Sequence, residues 1–351
     1  MMRAAPRAAS VFMIIVVAAS SGCSSSPAHE AYLPMPGELH GPFSATFSTV
    51  HPGRLDEANR YLPAVGVNTP AKKKEGEDDC SGVLISQRLV LTAGHCVCMR
   101  RTFAASDIPR VRTSLGKVLS SQPEKRRAAI LKQLVGMTHA IIDGSSCADL
   151  STVTVVTYAP PSEAGGNEDD ADLNYESRQY SARRIHAHEE LVILYDKAGR
   201  AIFREADLAI LVQGKPVKGA LPLVKLAASE VQPGDRIVMV GYGYGRTERV
   251  AKTYGNRHWA ESVVVELGRS DSTDVKLYAR EVPRDGGIPS GIYGGDSGGP
   301  AFRKTDEAEL VGIAAGITSE NQKEKLSVFT SVYPHASWIR RVAAEEEAVV
   351  Q

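Results

Sequence analysis

Apolar residues in this chain fall mostly in short runs separated by turn residues, and "SGVLISQRLVLTAGH" is the clearest case. Val83, Leu84 and Ile85 lead into Ser86-Gln87-Arg88, after which Leu89, Val90 and Leu91 resume. Two apolar runs around a short polar break predict paired strands. Runs of the same kind return at "YLPAVGV", "STVTVVTY", "DRIVMVGYGYGRT" and "ESVVVEL". Many strands joined by turns are therefore expected.

The period changes between Met99 and about Ser146. "SSQPEKRRAAILKQLVGM" sets Ile130, Leu131, Leu134 and Val135 at helical spacing. Ser121 stands as N-cap, with Glu124 three residues on and Pro123 in the first turn. A helical insertion over 99–146 is predicted. At the end of the chain, "SVFTSVYPHASWIRRVAAEEEAVV" passes from a strand to a helix that anchors Trp338 and Ile339. No repeat of the solenoid type is present in the sequence.

Composition narrows the classes. The chain has 351 residues and 43% hydrophobic content, enough for one large or two ordinary domains with real cores. Its 31 glycines, set among Val/Ile-rich runs, favour an all-β architecture. Lys plus Arg equal Asp plus Glu at 41 each, so no net field draws nucleic acid or an acidic partner. "PPSEAGGNEDDADLNYES" reads as a solvated acidic loop, and His186 and His188 as surface positions of one strand rather than a metal pair. Gly241, Gly243 and Gly245 look like a phosphate loop, but no helix pattern follows them and strand resumes, so that reading fails.

The first 22 residues differ from the rest. Arg3 and Arg7 precede the apolar run Val11–Ala19, and "SSGC" follows, which is the pattern of an export signal. The run is shorter than the roughly 20 residues of a membrane-spanning helix. It resembles a bacterial lipoprotein signal, in which the cysteine, here Cys23, is lipidated. That signal usually has Leu where Ser20 stands, so plain secretion is the alternative. Residues 23–54, rich in Ser, Pro, Gly and His, read as a tether. Of five cysteines, Cys80, Cys96, Cys98 and Cys147 then remain for an oxidising compartment. They allow three disulfide connectivities. Cys96 and Cys98 are too close in sequence for the usual zinc spacing. No metal or cofactor is expected.

Three stretches carry chemistry: "LTAGHC" with His95, "EADLAIL" with Asp207 and "GDSGGP" with Ser297. Each of these residues alone is commonplace in turns and caps. In this order and these contexts the chain resembles the chymotrypsin-like (trypsin-type) serine proteases, from about residue 56 to Trp338. The resemblance implies two six-stranded antiparallel β-barrels packed side by side, with the active site between them. The first would span 55–216 and carry His95 and Asp207; the second would span 217–351, carry Ser297 and end in the helix.

Carried over residue by residue, Ser297 is the nucleophile, His95 its base and Asp207 the carboxylate that orients the imidazole. The amides of Gly295 and Ser297 form the oxyanion hole. Asp296 would pair with a freshly cleaved N-terminal amine. Cys80 and Cys96 would form the disulfide that brackets the His loop, and elimination then pairs Cys98 with Cys147. The substrate is a protein or peptide; the oligomeric state is not readable.

The departures lie around this core. His95 and Asp207 are 112 positions apart, which fits the insertion. No Ile-Val-Gly-Gly activation sequence is present, so the partner of Asp296 is open. "LVGIAAGIT" carries Ala315 and Gly316 where the family has Ser-Trp-Gly. The primary pocket would be formed at Gly291, Gly316 and Ser327, small and uncharged, and so suited to apolar rather than basic side chains. The alternative function is a catalytically silent binding module on the same fold, which labelling of Ser297 would separate from an enzyme.

Overall fold

A computed structural model describes residues 53–70, 77–159, 175–219, 224–243, 255–269, 274–281, 291–292, 294–305, 308–320 and 324–348. The segment expected to be an export signal, with Cys23, lies outside them, as do residues 160–174 of the acidic stretch, Gly245 and Tyr293. No helix among the described residues is long and apolar enough to cross a membrane.

Six strands close the first barrel in the order β11 (Ala209–Gln213), β4 (Leu89–Thr92), β3 (Glu77–Leu84), β2 (Ala64–Pro70), β7 (Ser151–Tyr158) and β8 (Tyr175–Ala187). Six more close the second: β14 (His258–Arg269), β13 (Arg236–Gly241), β16 (Pro300–Arg303), β17 (Glu309–Glu320), β18 (Glu324–Ser331) and β15 (Val275–Glu281), with β15 pairing back to β14. Both rings are antiparallel throughout. Two short strands are added to the second barrel: β1 (Arg54–Leu55) pairs with β14, and β12 (Lys225–Leu226) runs parallel to β17. The expected pair of six-stranded barrels is thus the observed architecture.

The apolar runs have a physical reason. In β13, Ile237 and Met239 point into the second barrel, whereas the alternate residues Val238 and Val240 join the core that the first barrel builds. Ala301 and Phe302 of β16 divide in the same way. A strand buried on both faces needs apolar residues on both, so its alternation disappears. Each of the Val, Ile, Met and Phe side chains contributes about 1.5–3 kcal/mol on burial, and Val238, Val240 and Phe302 hold the second barrel against the first.

The insertion is more than helical. Helices α1 (Ile108–Val118) and α2 (Glu124–Met137) lie between β5 (Arg101–Thr102) and β6 (Ala140–Asp143). These strands join β9 (Val192–Tyr195) and β10 (Ala201–Glu205) in a four-stranded sheet ordered β10-β9-β6-β5. Val111, Leu115, Leu134, Ile141, Val192 and Leu194 form its own core. Helix α2 begins at Glu124 with Pro123 at the cap position, two residues after the expected cap at Ser121. Cys80 is bonded to Cys96, and Cys98 to Cys147. The second bond closes the insertion at its base, where Cys98 and Cys147 also face each other as a β-bridge.

Helix α3 (Ala336–Ala348) buries Trp338, Ile339 and Val342. It also corrects the surface reading of the two strand histidines. His186 Nε2 meets the Glu346 carboxylate at 2.7 Å, and His188 is buried against Trp338 and His335. Alternation along one strand cannot show a helix arriving from the far end of the chain.

Candidate active site

Strand β4 is buried along its whole length and delivers Gly94–Cys96 as one tight 3-10 turn, held to β3 by the Cys80–Cys96 bond. His95 at its centre is 6% exposed. Its amide N–H donates to Asp207 Oδ1 at 2.9 Å and its ring Nδ1 to Asp207 Oδ2 at 2.7 Å. The turn packs closely here: a Cβ on Gly94 would come within 2.7 Å of the Leu191 methyls and 3.3 Å of the same carboxylate.

Asp207 sits between β10 and β11, after Ala206, whose φ of 43° is a left-handed conformation uncommon outside glycine. The Ala206 amide is held by Asp274 Oδ2 at 3.0 Å. Arg204 Nη1 donates to Asp207 Oδ2 at 3.0 Å and to the Ala315 carbonyl. Burial alone would raise the Asp207 pKa; the charge and hydrogen bonds of His95, with Arg204 behind them, outweigh it and hold the carboxyl well below its usual range. Asp207 is therefore an anion.

Ser297 lies in a turn between Gly295 and Gly298, which adopt φ of 90° and 81°. Ser81 fastens this turn to the first barrel: its amide donates to the Ser297 carbonyl at 2.7 Å and its hydroxyl to the Gly295 carbonyl at 2.8 Å. Ser81 neighbours Cys80, which is bonded to the residue after His95. A Cβ on Gly298 would collide with Thr92, two residues before the His95 turn begins. The turn and the imidazole thus share one edge of the interface. No hydrogen bond joins the His95 ring to the Ser297 hydroxyl among the described residues. The amides of Gly295 and Ser297 likewise have no acceptor among them.

Asp296 turns inward, is 1% exposed, and accepts from the Gly243 amide at 2.9 Å. A Cβ on Gly241 or Gly243 would run into this side chain. That is what Gly241 at the end of β13 and Gly243 just beyond it accomplish: they make room for a carboxylate that is 53 residues from Gly243 in sequence.

Gly291 is buried, and the adjoining Ile292 amide donates to Ser327 Oγ at 3.2 Å. Gly316 lies opposite Val328 beside a bulge, and Ile317 opposite Ser327. The three expected pocket positions are therefore near one another, with Ile292 committed to the barrel core. Among the described residues, Cys80, His95 and Cys96 are the group whose donor atoms could converge on a metal, but both sulfurs are spent in a disulfide. Sequence reasoning missed Arg204 and Asp274. A charged residue three positions before the Asp, in a strand, was the one available signal for Arg204.

Among solved structures the chain is similar to an inactivated protease paralogue of the scabies mite, at 20% identity and a TM-score of 0.47, over 84% of this chain and 99% of that one. No curated protein matches. The trypsin-like peptidase domain matches residues 80–313, a span that takes in His95, Asp207 and Ser297 and covers more than half of the sequence. The chain belongs to the trypsin-like peptidase domain family.

Proposed function

We propose that the chain is an exported serine endopeptidase acting through an acyl-enzyme on Ser297. The reading is carried by one observation: His95 binds a fully buried carboxylate twice, through amide and ring, beside a serine turn whose two amides have no acceptor among the described residues. Asp207 fixes the Nδ1–H tautomer and leaves Nε2 to take the Ser297 proton as Oγ attacks the peptide carbonyl. The oxyanion that forms accepts from the Gly295 and Ser297 amides. His95 then returns the proton to the departing amine, and water, deprotonated by His95, hydrolyses the acyl ester. Nucleophile and base commonly close to hydrogen-bonding distance only around substrate.

The primary pocket is assigned to Gly291, Gly316 and Ser327. Its one side-chain polar group, the Ser327 hydroxyl, is already engaged by Ile292. A substrate cation would meet no counter-charge there, at a cost of several kcal/mol, so apolar residues before the cut are preferred over Lys and Arg. Two disulfides suit an extracellular or periplasmic compartment, and Cys23 is the proposed lipid anchor. Labelled fatty acid should enter the wild type and not Cys23→Ala; equal labelling would remove the anchor.

A fluorophosphonate probe and a panel of chromogenic peptides test the enzyme. Wild type should be labelled at Ser297 and cut best after Phe, Tyr or Leu. Ser297→Ala should fold, escape labelling and lose on the order of a millionfold in turnover. An unlabelled wild type overturns the proposal, and a clear preference for Arg or Lys overturns the pocket.

A further inference from the structure

Arg204 has no part in the chemistry above, yet it touches the catalytic carboxylate. It stands on β10, paired across to Ile193 of β9, in the sheet that the insertion builds. Its guanidinium is 19% exposed, and through Nη1 it bridges Asp207 Oδ2 to the carbonyl of Ala315 on β17. The oxygen it binds is the one that accepts from His95 Nδ1. One carboxylate oxygen is thus shared by the imidazole and a permanent cation. The same cation ties it to the strand that carries Ala315 and Gly316 in place of Ser-Trp-Gly.

The charged groups around this pair can be named from each side. The His95 turn contributes an uncharged disulfide. The insertion sheet contributes Arg204. From the second barrel Asp274 reaches the Ala206 amide, already paired with Lys276 and His335, and the Tyr278 phenol, kept neutral by burial, lies within the field of Arg204. Arg204 is therefore the cation that competes with a protonated His95 for Asp207. Two cations held at 2.7 and 3.0 Å from one carboxylate oxygen are close enough to repel each other even at an effective dielectric of about 20, and the partial exposure of Arg204 reduces this.

We propose that Arg204 is a positioning residue of the peptidase: it holds Asp207 against the Ala315 strand and opposes protonation of His95, so that the inserted sheet sets the lower pH limit of activity. The inference rests on the serine-peptidase reading. Without the cation, the whole charge of Asp207 acts on the imidazole, the protonated form is favoured, and the base is lost at higher pH.

The test is the pH profile of kcat/KM for wild type, Arg204→Gln and Arg204→Lys. In Arg204→Gln the acidic limb should move up by on the order of one pH unit, and kcat should fall about tenfold or more with KM little changed. Arg204→Lys keeps the charge and loses the planar fork; it should lose kcat while keeping the wild-type limb. If Arg204→Gln does not fold, the Lys variant decides by whether its limb stays in place. A limb unmoved in Gln, or displaced in Lys, overturns the inference while wild-type turnover upholds the peptidase. A wild type that never reacts with fluorophosphonate overturns both.

Discussion

Asp56 with Arg257 and Asp207 with Arg204 each set a buried carboxylate against a guanidinium at the seam of the barrels, the first guanidinium buried and the second partly exposed, and they differ in what else shares the charge. Arg257 is fully buried and Asp56 is 1% exposed. Arg257 Nε donates to Asp56 at 2.7 Å, Nη1 to the Val156 carbonyl at 2.8 Å and to the Tyr242 hydroxyl at 3.1 Å, and Nη2 to Asn59 at 3.0 Å. Asp56 also accepts from the amides of Arg60 and Tyr61, each at 2.9 Å. Each guanidinium nitrogen is used, and the bonds join the N-terminal segment, the first barrel and the second. Asp207 instead divides one oxygen between a fixed cation and a titratable ring. Burial of a carboxylate does not decide its role: with every partner supplied by fixed groups it is a lock, and with an imidazole among its partners it is, in the proposed function, a working part.

Matched substitutions break the comparison from both sides. Asp207→Asn keeps an oxygen for the His95 amide but spoils the tautomer, and should cut kcat about ten-thousandfold while leaving unfolding nearly unchanged. Arg257→Leu leaves Asp56 charged and buried without its guanidinium, which should cost about 3–5 kcal/mol of stability. Its activity per folded molecule should stay near wild type. Urea unfolding beside active-site titration reads both. If Asp207→Asn lost mainly stability, or Arg257→Leu mainly rate, the two roles would have to be exchanged.

Neither arginine was legible as such in the sequence. An arginine in a strand reads as an outward residue, and the partners of Arg257 lie as far as 201 positions away. The local signals were different in kind. His95, Asp207 and Ser297 each stand at the end of an apolar run or within a glycine turn, and such features depend on a few neighbouring residues. The strands were legible for the same reason, since turns and apolar runs are local, whereas their closure into two barrels followed from the family resemblance and not from the pattern itself. The four-stranded sheet of the insertion was not, because β9 and β10 carry the same pattern whichever sheet they join. Gly241 and Gly243 were visible as a turn signal, while the reason for them, the side chain of Asp296, lies far along the chain.

A third buried group at this seam sharpens the contrast, because it is neither locked in an ion pair nor placed beside one directly. His188 Nδ1 accepts from the Glu190 amide at 3.2 Å, and its Nε2 lies 3.1 Å from His335 Nδ1, whose Nε2 faces Asp274 at 3.2 Å. One set of tautomers satisfies every bond: His188 Nε2–H donates to His335, and His335 Nε2–H donates to Asp274. A proton added to His188 Nδ1 would displace the Glu190 amide. Burial first, and the neighbouring His335 second, push the His188 pKa down from 6.5 to about 4. In the unfolded chain the ring titrates near its ordinary value of about 6.5. Between those two values the unfolded chain binds a proton that the native state refuses, so stability must fall as pH drops through that window. The full loss is about 3 kcal/mol, reached near pH 4, with no contribution above about pH 7. His188→Gln should flatten that part of the stability profile relative to wild type, whatever its effect at neutral pH, and urea midpoints taken every half unit from pH 4 to 7 would show it. Equal slopes in the two proteins would mean that His188 is protonated in the native state, and that its tilted and edge-on contacts with Trp338 and His335 tolerate a charge.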